Sequence, residues 1–361
     1  MRIALLAPSL SARDAVGTDV LEMALLLRES GHEVRLYADS AVGIDEGVHA
    51  PSGFATWLRG EQDCVIYHAS IGWPRGEAML AQCRARRVLR YHNITPAEFF
   101  IGYSRDHVRT CAAGRAGLPR LATLGFDMAL ACSRYNLDEL VAHGFPASHG
   151  RVLAPLHRIE ALRDQAADAG VLDRYNDRRC NLLMLGRVAP NKGHAALIDA
   201  FACYLREYEA DARLLVVGKQ DRRLAGYVRH LQQRAAAYGI SEQLHFLDNV
   251  DEAKLKACWL VADALLTLSE HEGFCVPLVE AMALGVPIIA RASSAIPDTL
   301  GDAGLLWESA DPRLYAASVA RLRRDPGATA ALREAGRLRY RQHFRREVLA
   351  RQLVEAIACL Y

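Results

Sequence analysis

The feature that most constrains this chain is a series of short, uninterrupted apolar runs, each followed by a segment of helical periodicity. "RIALLAP" at 2–8, "EVRLYA" at 33–38, "DCVIYHA" at 63–69, "RRVLRYHN" at 86–93 and "MALACS" at 128–133 have strand length. "DVLEMALLLRESGHEV" has the 3.6-residue periodicity of a helix that stops at Gly31. A strand exposed on one face alternates apolar and polar residues; these runs do not, so both faces are covered. That pattern predicts a parallel sheet with helices on either side.

A polar stretch, "HRIEALRDQAADAGVLDRYNDRRC" at 157–180, interrupts the series. The alternation then restarts with "NLLMLGR", a helix from Gly193, "RLLVVG", a helix through "YVRHLQQRAAAYG", "LHFLD", "DALLTLS" and "VPIIA". Helical periodicity runs from about 311 to the end. The length of 361 residues suits two domains of ordinary size. We expect a first α/β domain over 1–160, a second over 175–343, and a final helix over 344–361. In doubly wound sheets ligands bind beyond the carboxyl ends of the strands, so the loops entering the helices are where chemistry is sought.

Composition excludes several classes. Apolar residues make up 51% and charged residues 24%, as in a globular chain, and a net charge of +2 gives no global case for nucleic acid. The nine cysteines are scattered without metal-like spacing, as in a reduced, cytoplasmic protein. No apolar run reaches the length of a membrane span. Basic residues crowd "RLRRDPG" and "REAGRLRYRQHFRRE" near the end. These read first as solvated helix faces, and second as a peripheral contact with the inner surface of an anionic membrane. Only four of the 44 basic residues are lysines, which gives weight to Lys192 inside a motif.

Two segments carry the chemistry. In "LGRVAPNKG" a buried strand ends, a glycine turns the chain, and Arg187 and Lys192 precede a helix start. A guanidinium fork, an ammonium and free helix amides together suit a diphosphate. Gly193 stands where a P-loop needs a hydroxyl, so this is not that loop. In "HEGFCVPLVEAMALGVPII" two carboxylates, Glu272 and Glu280, flank a helix opened by Pro277 and closed by Gly285. Such a pair suits general acid/base work, a metal or the holding of a sugar. The amides of Gly273, Phe274 and Cys275 point out of the helix start, and Glu280 lies one turn in, placed to accept from vicinal hydroxyls.

"EGFCVPLVEAMALGVPIIA" resembles the E-x7-E signature of family-4 retaining glycosyltransferases, and "GDAGLL" at 301–306 resembles the segment that follows it. "GRVAPNKG", "VVGKQ" and "LHFLDNVDEAKLKACWLVADALLTLS" are similar to that family's other segments, in the same order. The resemblance covers the second half and implies a GT-B fold: two Rossmann-like doubly wound α/β domains facing an interdomain cleft, the last helix crossing back to the first. It implies that the first domain binds the acceptor and the second a nucleoside diphosphate sugar. Arg187 and Lys192 would hold the diphosphate, Glu280 the ribose, and Glu272 with the amides of Gly273, Phe274 and Cys275 the sugar. The backbone at Asn249 and Val250 would face the base.

In the first half the resemblance is looser. Gly17 stands alone where the family often pairs glycines beside the donor. His92 takes the place of a histidine beside the transferred sugar, and with Glu272, Arg187 and Lys192 makes the catalytic set. His68 and Asn93 fall on the acceptor side, and Ser133 reads as a helix cap. No D-x-D tripeptide occurs. The expectation is therefore metal-independent hexosyl transfer with retention and no cofactor beyond the sugar nucleotide, GDP-mannose-like or a UDP-hexose. The acceptor would be a glycan or lipid-linked oligosaccharide of surface polysaccharide or lipopolysaccharide synthesis. A silent sugar-nucleotide-binding protein and a GT-B epimerase are the alternatives.

Overall fold

The computed structural model describes residues 1–12, 14–44 and 47–361. They form two compact units, one of residues 1–97, 107–158 and 345–361 and another of 98–106 and 159–344. Residues 98–106, expected inside the first domain, group with the second unit, where Tyr103 packs edge-on against Tyr227. The polar stretch after 157 carries two short helices, Ile159–Asp164 and Ala169–Tyr175, of the second unit.

The first unit is a parallel sheet of β1 (Arg2–Ser11), β2 (Glu33–Val42), β3 (Val48–His49), β4 (Cys64–Ala69), β5 (Arg86–Tyr91), β6 (Met128–Ala131) and β7 (Gly150–Val152). Its order is β3-β2-β1-β4-β5-β6-β7, so the winding reverses between β1 and β4. The alternation of side chains across a strand sorts β1 between two cores. Ile3 and Leu5 join Val20, Leu27 and Ile66 on one face, while Ala4 and Leu6 join Tyr37, Val65 and Leu89 on the other. The last helix, Arg346–Ala358, belongs to the first face and places Leu349, Leu353 and Ile357 in that core. Each such side chain contributes about 1.5–3 kcal/mol by burial, which anchors the chain end here.

The second unit has β8 (Cys180–Leu185), β9 (Ala212–Val217), β10 (Leu244–Leu247), β11 (Ala264–Thr267), β12 (Ile288–Arg291) and β13 (Leu305–Trp307). All pair in parallel in the order β10-β9-β8-β11-β12-β13, with the reversal between β8 and β11. The two motif segments quoted above are the loops leaving β8 and β11, the strands on either side of that reversal. The edge strands β3, β7 and β13 are two or three residues long and leave no periodic signal in the sequence.

Candidate active site

In the second unit the loops after β8 and β11 are built onto one another. Gly193 has φ +68°, and a Cβ there would stand 1.9 Å from the Leu268 carbonyl oxygen, so only glycine lets the loops close. Asn191 completes the tie: its carbonyl accepts from the Glu270 and His271 amides (2.9 and 3.2 Å), and its Nδ2 donates to the His271 carbonyl (3.1 Å). This brings Lys192 to Glu272. Lys192 Nζ donates to both Glu272 oxygens (2.8 and 2.7 Å), and Ser269 Oγ donates to Oε1 (2.8 Å). Glu272 is 6% exposed, so this pairing holds its charge in place of water.

Beyond Glu272 the helix Val276–Leu284 begins at Cys275, which has φ +77° and offers no side-chain cap. Pro277 has no N–H and the Leu278 amide donates to the Cys275 carbonyl (3.1 Å), so the Val276 amide is the one left without a partner within the first turn, and the helix dipole adds partial positive charge there. Glu280, on the same helix, has a carboxylate oxygen, Oε2, buried without a partner. Burial pushes its carboxyl up to about 7. Arg187 is exposed and makes no ion pair among the described residues. The second unit thus collects an ammonium, a free guanidinium, an uncapped helix start and an orphaned carboxyl around one sheet reversal. That set suits an anion carrying hydroxyl groups.

Asn249 and Val250 stand apart, past the edge strand β10. Asn249 has φ +52°, and its amide donates to its neighbour Asp248 (2.8 Å). Val250 lines an open hollow of about 430 Å3 with Arg174, Tyr175, Asp248 and Lys254.

The first unit gathers a different set of residues. Asp19, in the helix Ala15–Glu29 after β1, is wholly buried and paired with Arg90 of β5. Arg90 Nε and Nη2 donate to its two oxygens (2.9 and 2.8 Å), and the Leu156 amide adds a third bond (2.7 Å). Burial opposes ionisation, but the Arg90 guanidinium and the two nearby histidines hold Asp19 at about 2. The rest of the Arg90 fork donates to the Leu153 and Ala154 carbonyls. His68 at the end of β4 and His92 just after β5 stack beside this pair.

Three residues named from the sequence have partners inside the first unit. His68, expected to meet an acceptor, is 0% exposed, and its Nδ1 faces His92 Nε2 at 3.0 Å. Asn93, expected on the same side, is buried with φ +80°, and its Nδ2 donates to Asn136 Oδ1 and Glu139 Oε2 (3.0 Å each). Gly17, expected beside a donor, gives its amide to Asp14 Oδ1 (2.7 Å), and its missing side chain makes room for the Ser11 carbonyl. Its small size serves the packing of helix on strand. Ser133 caps the helix Arg134–Ala142 through the Asn136 amide (3.1 Å).

Asp19 and Arg90 were not singled out from the sequence. The signal was an arginine inside the apolar strand "VLRYH", which requires a buried anion elsewhere. Asp19, His68 and His92 are the one group among the described residues with metal-ligand donor types converging within 4.8 Å. Arg90 already saturates the carboxylate, and a dication there would face a buried guanidinium.

Two parallel, doubly wound sheets with a last helix returning to the first unit define the GT-B class of fold. Sucrose-phosphate synthase from Thermosynechococcus elongatus shares it over 100% of this chain and 99% of its own, with TM-score 0.79 at 18% identity. Residues 174–339, inside the second unit, match the model of glycosyl transferases group 1. D-inositol 3-phosphate glycosyltransferase from Geodermatophilus obscurus is 30% identical over 62% of this chain and 54% of its own length. A GDP-mannose-dependent alpha-(1-6)-phosphatidylinositol monomannoside mannosyltransferase from Mycobacterium tuberculosis is 27% identical over 64% and 61%. The chain spans little more than half the length of these curated relatives.

Proposed function

We propose that this chain transfers a hexose from a nucleoside diphosphate sugar to a hydroxyl acceptor, with retention and without a metal. The observation that carries it is the second-unit cradle: Lys192 on Glu272, an uncapped helix start, and a buried Glu280 carboxyl whose Oε2 has no partner. A carboxyl kept from water without a partner is costly unless a ligand supplies the hydrogen bonds, and the vicinal hydroxyls of a ribose do so. Arg187, Lys192 and the amides of Gly273, Phe274 and Cys275 then meet the diphosphate, and Glu272 the hydroxyls of the sugar.

As the anomeric C–O bond to the diphosphate breaks, negative charge grows on the leaving oxygen, where these cations and amides stabilise it. The acceptor hydroxyl forms the new C–O bond on the same face and passes its proton to that leaving oxygen. His92 takes the role that the family resemblance implies, positioning the transferred sugar and polarising its hydroxyls. The family resemblance supports this course, and the names of the relatives support sugar transfer in general.

The donor is a GDP-mannose-like sugar nucleotide, in line with the mannosyltransferase among the relatives. The acceptor is a glycan or lipid-linked oligosaccharide of a surface polysaccharide. Among the described residues no helix is long and apolar enough to cross a membrane. Any membrane contact is proposed as peripheral, through the basic faces near the end of the chain. A thermal-shift panel of UDP, GDP, ADP and their sugars tests the donor. A rise with GDP and GDP-mannose is expected, and no shift with any nucleotide would remove the basis of the reading. Transfer assays on an acceptor panel follow, and nucleotide binding without turnover would point to a silent binding protein.

A further inference from the structure

Five side chains of the first unit form one buried chain around His92. His68 Nδ1 lies 3.0 Å from His92 Nε2, and Asp19 Oδ2 lies 3.8 Å from the former and 3.7 Å from the latter. On the other side of the ring, His92 Nδ1 lies 3.5 Å from Cys132 Sγ. Arg90 closes the group by holding both Asp19 oxygens.

Two ring nitrogens facing each other at 3.0 Å share one hydrogen, and the far side of His68 decides which ring carries it. His68 Nε2 is buried without any partner. Orphaned buried donors are rarer in folded proteins than under-satisfied acceptors, so Nε2 is the bare nitrogen and Nδ1 carries the hydrogen. His68 then donates to His92 Nε2. The hydrogen of His92 is left on Nδ1, facing a thiol sulfur that is a weak acceptor. Burial keeps the Cys132 thiol protonated, its pKa pushed up to about 12, so no thiolate holds that hydrogen.

We propose that His68, seated by the Asp19–Arg90 ion pair, is a positioning residue that fixes His92 as a neutral Nδ1–H hydrogen-bond donor. The donor leaves its weak contact with Cys132 for an oxygen of the bound sugar or phosphate. This rests on the reading above that places His92 at the transferred sugar, and it excludes His92 as a base or a nucleophile. The groups facing His92 keep it neutral. Burial lowers its pKa most, Asp19 raises it, Arg90 lowers it again, and the result is about 4. Burial, then His92, takes His68 well below its ordinary value as well.

The test reads the tautomer directly. Long-range proton–nitrogen spectra of the full chain labelled at histidine nitrogen, without substrate, report which nitrogen of each ring is protonated, and loss of a signal in His92→Gln assigns it among the 13 histidines. The expected result is an Nδ1–H ring at His92, unchanged between about pH 5.5 and 8. In His68→Leu the ring shifts towards the Nε2–H form, and kcat falls about tenfold with the donor KM within about twofold. His68→Asn, whose amide sits near the lost Nδ1, restores most of both. An Nε2–H ring in the native protein overturns the proposal, with no variant needed. A His68→Leu protein with native tautomer and kcat overturns it too. The tautomer is read without turnover, so its failure leaves the glycosyltransferase reading standing. An Nδ1–H ring in a protein that transfers no sugar supports the tautomer and counts against the function.

Discussion

The two units bury carboxylates in opposite ways. Asp19 in the first has hydrogen bonds on both oxygens, from a guanidinium and an amide. Glu280 in the second keeps a buried oxygen with no partner, and Glu272 beside it is held by an ammonium that remains partly exposed. A satisfied buried charge is tied to its surroundings and resists change. An unsatisfied one raises the energy of the free protein until a ligand completes it. The difference marks Asp19 and Arg90 as the frame behind His92, and it is why Glu280 and Lys192 are proposed as the places that meet a ligand.

The largest effect should come from opening the satisfied pair. Arg90→Met leaves Asp19 charged and unpaired, which costs about 3–5 kcal/mol. Hydrogen exchange should show the first unit losing protection while the strands of the second keep theirs. Replacing Asp19 and Arg90 together by apolar residues should recover much of the loss, because no lone charge remains. Asp19 sits at about 2 when folded, against 3.8 ordinarily. Its contribution is therefore complete above about pH 4 and lost as pH falls through 2. An Arg90→Met protein as stable as the native chain would erase the contrast between the units.

Lys192→Ala tests the other side. Transfer should fall about 10²–10³-fold in kcat/KM, the scale of losing one group that stabilises developing charge. The melting temperature should drop less than in Arg90→Met, since Ser269 still donates to Glu272. Undiminished transfer would remove Lys192 from the diphosphate site. Glu280→Gln should separate stability from function. Its carboxyl is raised to about 7 from 4.5, so burial of the charge penalises the folded state at higher pH. At pH 8 the variant should be more stable than the native protein, by up to about 3 kcal/mol. Below about pH 4.5 the two should melt alike, because the carboxyl is then protonated folded and unfolded. Nucleotide affinity should fall about tenfold for the lost acceptor. A variant destabilised at pH 8 would mean that Glu280 has a partner in the free protein.

Much of the frame was legible in the sequence. Continuous apolar runs foretold the parallel strands, because burial on both faces leaves no room for alternation, and Gly285 ended its helix in the left-handed conformation expected. The short edge strands were not legible, since two or three residues carry no period. In the second unit the motif residues adjoin because both loops leave strands beside the sheet reversal, and the glycine in "NKG" recorded their close approach. In the first unit the sequence did not show the internal partners of His68, Asn93 and Gly17. A histidine at a strand end looks the same in a string whether it faces a ligand or another histidine. Which one it faces depends on Asp19, 49 positions before it, and on Arg90, 22 after.

The smallest expected effect bears most directly on what the unsatisfied carboxyl is for. In the free protein Glu280 changes charge near pH 7, and hydroxyl groups that donate to it favour the ionised form. Binding should therefore lower its pKa and release a proton. Affinity for a nucleoside diphosphate should be flat above about pH 8 and weaken by up to tenfold per unit as pH falls from 7 towards the bound-state pKa. Glu280→Gln should remove that slope while leaving a weaker, pH-insensitive affinity from Arg187, Lys192 and the helix start. Calorimetry in two buffers of different ionisation enthalpy measures the released proton. The second phosphate ionisation of the nucleotide also falls near pH 6–7, so the comparison of native and variant proteins carries the result. An equal slope in both would assign the pH dependence to the ligand and return Glu280 to the role of a buried structural acid.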